Sequence, residues 1–288
     1  MSGGGEVVFV GGAGPRIACE IVGAGEGAPT VFCAHGNSSH RGIFRPVMDR
    51  LLRDLHLRAV LVDMRGHGDS DHVHPPAYNP NDHAADLERV VRHVAPSRYA
   101  IVGHSAGALA TAAFAARSGR EGSSAPRAIG WIDIDPRVPD WQVQHFNARA
   151  DAVARAYPDA HAATVALVRG IQKTNAGISE EALFSFVAEG LKETPAGHTV
   201  KLDPQTYATW APGDLRPILP DIACPALIIR GTASIVSSAS GFEELRAGLP
   251  RATAAEVEGG THFVPLDHPS EVAALLAEFL RKELVGAP

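Results

Sequence analysis

A chain of 288 residues with 45% apolar and 20% charged residues has the make-up of an ordinary soluble globular protein, long enough for one large α/β domain with an insertion. Its net charge of −6, without a basic cluster, disfavours nucleic-acid binding, which needs a concentrated basic face against phosphate. No apolar run approaches the roughly 20 residues of a membrane span, and the opening Met1 to Gly5 lacks the basic and hydrophobic regions of a signal peptide.

Glu6 to Val10 and Arg16 to Val22 read as two short strands joined by a Gly-Gly-Ala-Gly-Pro turn. Gly23, Gly25 and Ala28 formally match a dinucleotide-binding pattern, but Pro29 and another strand follow where that pattern needs a helix, so the segment reads as a loop. Thr30 to Ala34 is an apolar strand ending in His35-Gly36-Asn37. Phe44, Val47, Met48, Leu51, Leu52 and Leu55 then recur at helical spacing. Arg58 to Val62 is the next strand, and it runs into Asp63-Met64-Arg65-Gly66-His67-Gly68-Asp69-Ser70. A loop rich in proline and histidine leads to about Asn81, and Leu87, Val90, Val91 and Val94 mark a helix face.

Tyr99 to Val102 is a strand, Gly103-His104-Ser105-Ala106-Gly107 a sharp turn, and Ala106 to about Arg117 an alanine-rich helix. The pattern G-x-S-x-G at a strand-to-helix corner thrusts the serine hydroxyl out above the sheet, beside the free N–H groups of a helix start. Ala128 to Asp135 is another strand. Strands alternating with helices predict a mainly parallel sheet covered on both faces. From Pro136 to about Arg216 the pattern is helical, with Phe146, Ala150, Val153, Ala154 and Tyr157 on one face and further helices over about 162–171 and 179–191. No strand is expected there. Pro225 to Arg230 and Thr253 to Val257 are the last strands, with a helix over 242–249 between them. Gly259-Gly260-Thr261-His262 leads into a final helix carrying Val272, Leu275, Leu276, Phe279 and Leu280. The scattered Cys19, Cys33 and Cys224 read as buried thiols of a reducing compartment, so a cytoplasmic protein is expected.

Taken together, His35-Gly36-Asn37, the Asp63 to Ser70 loop, Gly103 to Gly107, Ile222 to Gly231 and Gly259-Gly260-Thr261-His262 resemble the α/β-hydrolase superfamily over nearly the whole chain. The resemblance implies an eight-stranded, mostly parallel sheet with the second strand antiparallel. The core would comprise residues 1–135 and 217–288, with a helical cap at 136–216 inserted after the sixth strand. It also implies that Ser105 attacks an acyl carbon and that His262, in a turn after the last strand, is its base. A serine hydroxyl needs such a base, and histidine titrates near working pH. Two backbone N–H groups would hold the oxyanion, those of Ala106 and Asn37. His35 reads as structural.

The acid departs from the usual pattern. Most relatives place an aspartate three residues after the glycine ending the seventh strand, where Ser234 stands here. Ile132-Asp133-Ile134-Asp135-Pro136 resembles the segment from which one subgroup of haloalkane dehalogenases takes its acid. Asp133 is therefore the expected acid, ahead of Asp135, which precedes Pro136 where the chain turns away. The histidines and aspartates between His67 and His74 lack a complete ligand set, so neither a metal nor a cofactor is expected. Trp141, Phe146, Tyr157, Phe184, Phe186 and Trp210 fit either an acyl pocket or the cap's own core. The expected activity is cofactor-independent hydrolysis of a small carboxylic ester, lactone or thioester. A C–C bond hydrolase or haloperoxidase-like member, or a low-turnover ligand-binding protein, stand as alternatives. The expected partner is a small molecule, not nucleic acid or membrane, and a homo-oligomer is left open.

Overall fold

The computed structural model describes residues 5–121 and 125–286; Met1 to Gly4, most of the stretch read for a leader, lie outside the described residues. Among the described residues there are ten strands: β1 (Glu6–Val10), β2 (Ile17–Gly23), β3 (Thr30–Ala34), β4 (Arg58–Val62), β5 (Tyr99–His104), β6 (Ala128–Ile132), β7 (Leu191–Thr194), β8 (Gly197–Val200), β9 (Ala226–Gly231) and β10 (Ala252–Val257). Eight form one sheet in the order β1-β2-β4-β3-β5-β6-β9-β10, in which β2 alone runs against its neighbours. The expected fold class is thus the observed one. Sheet strands β3, β5 and β6 are buried at every residue, as a sheet covered on both faces requires.

Strand alternation sorts the core into two layers. Val31 and Cys33 face one way, into a cluster with Phe44, Val47, Met48 and Leu51 around helix α1 (Arg45–Asp54). Phe32 and Ala34 face the other, toward Leu87 and Val90 of α2 (Pro80–Val94) and Ala110 and Phe114 of α3 (Ala106–Glu121). The alanines of α3 let it lie close against the sheet. At Gly107 a β-carbon would stand 2.1 Å from the Ala34 carbonyl oxygen, so nothing larger than glycine fits that crossing.

Between β6 and β9 the chain forms α4 (Asp140–Asn147), α5 (Ala150–Val153), α6 (Ala160–Gln172), α7 (Glu180–Glu189) and α8 (Gln205–Ala208). Two expectations for this block need correction. The single helical face drawn through Phe146 to Tyr157 is broken at Ala148 and Arg149 into two short helices, and Tyr157 instead bridges to His198. The block also contains a β-hairpin, β7 paired antiparallel with β8. Its strands are four residues each and largely polar, too short for an alternating pattern to register. After β9 come α9 (Ala239–Gly248), then β10, α10 (Val264–Asp267) and α11 (Pro269–Leu280). Among the described residues, no helix is long and apolar enough to cross a membrane.

Charges fasten the block to the sheet. Arg45 lies between Glu20 of β2 and Glu189 at the end of α7, and Lys201 pairs with Asp69 at 2.8 Å. His40 donates from Nε2 to the Phe186 carbonyl, 2.8 Å away, which makes Nε2 the protonated nitrogen, and its ring stacks on Phe186 at 4.4 Å. The Asp63 to Ser70 loop is part of this framework. Asp63 is fully buried, accepts the N–H of Arg41 (2.7 Å) and of Asp69 (3.0 Å), and pairs with the Arg41 guanidinium. Removing one partner would leave a buried charge uncompensated, a loss of about 3–5 kcal/mol.

Candidate active site

Strand β5 ends at His104, and the chain turns at once into α3 with Ser105 at the corner. Ser105 has φ +54°, a left-handed conformation that a serine adopts at a cost of order 1–3 kcal/mol. Its N–H donates to the Ile132 carbonyl at 2.8 Å, which ties the corner to β6. Its side chain lies against the turn after β3: a β-carbon on Gly36 would stand 2.7 Å from Ser105 Cβ and 3.1 Å from Oγ. Ser105 is 8% exposed. Ala106 is the first residue of α3, with no helical turn before it to supply an acceptor, and among the described residues its N–H has no backbone acceptor. Among the described residues the N–H of Asn37 has none either. Two unpaired backbone donors thus belong to the residues after Ser105 and after Gly36, in turns that meet at Ser105.

His262 follows β10 in a turn opened by Gly259 at φ +70°. The N–H of Thr261 donates to Asp267 at 2.7 Å, and that of Phe263 to Thr261 Oγ1 at 3.2 Å. These bonds hold the turn from its outer side. His262 Nδ1 stands 2.8 Å from Asp133 Oδ2. An ionised carboxylate only accepts, so Nδ1 carries the proton and Nε2 is free to take one. The Ser105 hydroxyl itself makes no hydrogen bond among the described residues; in ligand-free sites that link is often long.

β6 ends at Ile132, so strand alternation does not reach the two aspartates. Asp133 has φ +53°, and its side chain is fully buried. Its Oδ1 accepts the N–H of Gly231 at 2.9 Å, and its Oδ2 accepts both His262 and the Ser234 hydroxyl, the latter at 2.6 Å. Ser234 in turn accepts the N–H groups of Val236 and Ser237. Ser234, where most relatives would carry an aspartate, thus holds the Asp133 carboxylate in place. Asp135 does something else: it accepts the N–H and hydroxyl of Ser238 at 2.9 and 2.7 Å, at the start of α9, and burial raises its pKa.

Ser105, Asp133, His262, Asn37 and Ala106 are therefore gathered at one end of the sheet. His35 donates from Nδ1 to the Gly36 carbonyl (2.7 Å) and accepts the N–H of Met64 at Nε2 (3.0 Å), as a turn-holding residue does. Among the described residues no group of three or more histidine, cysteine or acidic side chains is gathered as a metal would require. The aromatic residues of the 136–216 block divide. Phe146 stacks on Tyr207 at 3.9 Å and packs on Trp210, Phe186 is buried against His40, and Trp141 is 65% exposed. The Tyr207 hydroxyl meets that of Ser38, the residue after Asn37.

Comparison with known families gives the placement. A model of the alpha/beta hydrolase family matches residues 31–275. The chain belongs to this family, and it is a hydrolase on the α/β-hydrolase fold. It is 27% identical over 272 residues to the 2-(acetamidomethylene)succinate hydrolase of Mesorhizobium japonicum, covering 92% of each chain. It is 28% identical over 284 residues to a pimeloyl-[acyl-carrier protein] methyl ester esterase of Xanthomonas campestris, covering 91% of this chain and 97% of that one. The crystal structure of E-2-(acetamidomethylene)succinate hydrolase superposes with a TM-score of 0.83 at 25% identity, covering 96% of this chain and 99% of the other. A thioesterase domain from the curacin biosynthetic pathway shares the fold, with a TM-score of 0.77 at 18% identity over 94% and 98% of the two chains.

Two residues of the site escape a reading of the sequence. His104 is hidden as a variable position inside G-x-S-x-G. Ser234 registers as a missing acid, yet nothing in the sequence says that its hydroxyl donates to Asp133.

Proposed function

We propose that this chain is a cofactor-independent serine hydrolase acting on a small carboxylic ester, lactone or thioester. What carries the reading is the hydrogen bond of 2.8 Å between His262 and the fully buried Asp133, at the sheet end where Ser105 stands at the corner with φ +54°. In this mechanism Ser105 Oγ attacks the acyl carbon while His262 Nε2 takes its proton. Asp133 keeps the proton on Nδ1 and offsets the charge of the imidazolium. The N–H groups of Asn37 and Ala106 receive the oxyanion. Collapse breaks the bond to the leaving group, which departs with the proton held on His262. Water, deprotonated by His262, then attacks the acyl-enzyme, and Ser105 regains its proton as the acid is released. The 136–216 block serves as a cap that shapes the acyl pocket, and the protein works in the cytoplasm on a small molecule.

A second reading, an amide substrate bearing carboxylates, is favoured by the name of the Mesorhizobium relative and by one observation. Arg149 is exposed between α4 and α5. It lies near Tyr207, whose pKa burial raises and the Ser38 hydroxyl, then this cation, draw back. The same triad would cleave either bond. A panel of p-nitrophenyl esters, lactones, acyl thioesters and an acetamido dicarboxylate, each run against Ser105→Ala, tests both readings. Turnover lost in Ser105→Ala is expected throughout. Turnover that survives the substitution would defeat the serine mechanism, and a preference for the dicarboxylate would select the second substrate class.

A further inference from the structure

The residue ahead of the nucleophile has no part in the mechanism above. His104 closes β5 and is 2% exposed. Its Nε2 lies 2.7 Å from the main-chain oxygen of His262. A carbonyl oxygen can only accept, so the proton of this imidazole sits on Nε2 and Nδ1 is bare. That Nδ1 is buried without a partner among the described residues, and it faces Gly36, where a β-carbon would stand 3.3 Å away. The two imidazoles are 4.8 Å apart at 38°. One side chain is therefore wedged between the turn that supplies Asn37 and the turn that carries the base. The bonds from Thr261 and Phe263 stay within residues 261–267, and those of Gly259 and Gly260 reach Thr232 and Ala233 just after β9. The bond from His104 ties the backbone of His262 to the strand of Ser105.

We propose that His104 is a positioning residue for the general base, its Nε2–H holding the main chain of His262 in register with Ser105 and Asp133. This rests on the serine mechanism above. The bond fixes where the His262 ring begins, and Asp133 fixes which way it turns. Burial and the neighbouring His262 hold the His104 pKa down to about 3. At neutral pH it is thus an uncharged donor, and it sets no second cation beside the imidazolium that forms during attack.

The test compares His104→Gln, whose amide nitrogen can stand near the place of Nε2, with His104→Leu, which fills the space without a donor. Ser105→Ala and His262→Ala are run in parallel on the full chain with a p-nitrophenyl ester. His104→Leu should lose on the order of 10²-fold in kcat with KM little changed, as a displacement of about 1 Å in a catalytic group does. His104→Gln should recover most of that loss. Nitrogen-15 histidine spectra of the parent protein should show His104 as the Nε2–H tautomer. The downfield His262 Nδ1–H resonance should be sharp in the parent and in His104→Gln, and broadened in His104→Leu. An Nδ1–H tautomer at His104 in the parent would overturn the proposal whether or not any variant folds. So would a His104→Leu enzyme as fast as the parent, or equal losses in both variants, which would mean packing alone. Full turnover in Ser105→Ala and His262→Ala would instead remove the serine mechanism, and with it the base to be positioned.

Discussion

Replacing Asp133 with asparagine exchanges one carboxylate oxygen for an amide nitrogen, removes the charge, and should nearly stop the reaction. Asp133 Oδ1 accepts from Gly231, while Oδ2 accepts from both His262 and Ser234. Asparagine has one oxygen and one amino group, so it cannot serve all three donors. With its oxygen toward Gly231, the amino group faces His262, which must then accept at Nδ1 and carry its proton on Nε2. That tautomer cannot take a proton from Ser105. With the amide reversed, the amino group opposes the buried N–H of Gly231, and an unsatisfied buried donor costs about 1–3 kcal/mol. At about 1.4 kcal/mol per decade, orientation alone lowers kcat by about one to two decades. The lost negative charge beside the imidazolium lowers it further, toward the loss of about 10⁴ known for the matching change in a serine protease. The assay is kcat and KM on an active ester, with circular dichroism and thermal melting to show a folded chain. KM should change little. A second variant pairing Asp133→Asn with Ser234→Asp should regain part of the rate, since position 234 already reaches Oδ2 of residue 133 at 2.6 Å. Near-parental kcat in a folded Asp133→Asn protein would refute the reasoning.

Asp135→Asn should leave kcat within a few-fold, because its bonds to Ser238 fasten the start of α9 and an amide can make them too; a loss as large as that at Asp133 would move the acid to Asp135. Gly36→Ala should fold but react slowly, on the order of 10²-fold down, since the new methyl would push Ser105 or the Asn37 turn aside; unchanged kcat would show that the two turns are not in contact. Acid should destabilise the chain well before its carboxylates titrate. His67, His83 and His104 are buried and neutral, with pKa values pushed down by burial to about 4, 3 and 3. Their folded values lie below the unfolded one of about 6.5. Their contribution is thus present in full above about pH 6.5 and is lost as pH falls toward 4 and 3, because the unfolded chain binds the protons. Thermal melting should show a nearly constant Tm from pH 7.5 to about 6.5 and a fall from there to 4.5, and a Tm that stays flat below about 6.5 would contradict the burial.

The eight sheet strands are legible in the sequence because each is a short apolar run between turn residues, and a sheet buried on both faces demands such runs. Ser105 and His262 are legible because glycines mark the tight turns that carry them. Asp133 could be singled out only by setting Ser234 against the usual pattern. Its backbone at φ +53° and its three hydrogen bonds depend on β9 and β10, which lie about a hundred residues away in the chain. The 136–216 block is the least legible. Its hairpin is short and polar, and the break at Ala148 and Arg149 lies inside a run whose helical spacing continues through it. Such features are decided by docking, as at Glu189 and Lys201, and local pattern holds no record of them.

The measurement that bears most directly on the whole account is intact mass after treatment with a fluorophosphonate. One adduct should form, peptide mapping should place it on Ser105, and it should be absent in Ser105→Ala and much slower to form in His262→Ala. Labelling that survives Ser105→Ala, or full esterase activity in a protein that takes no label, would contradict a nucleophilic serine at the end of β5.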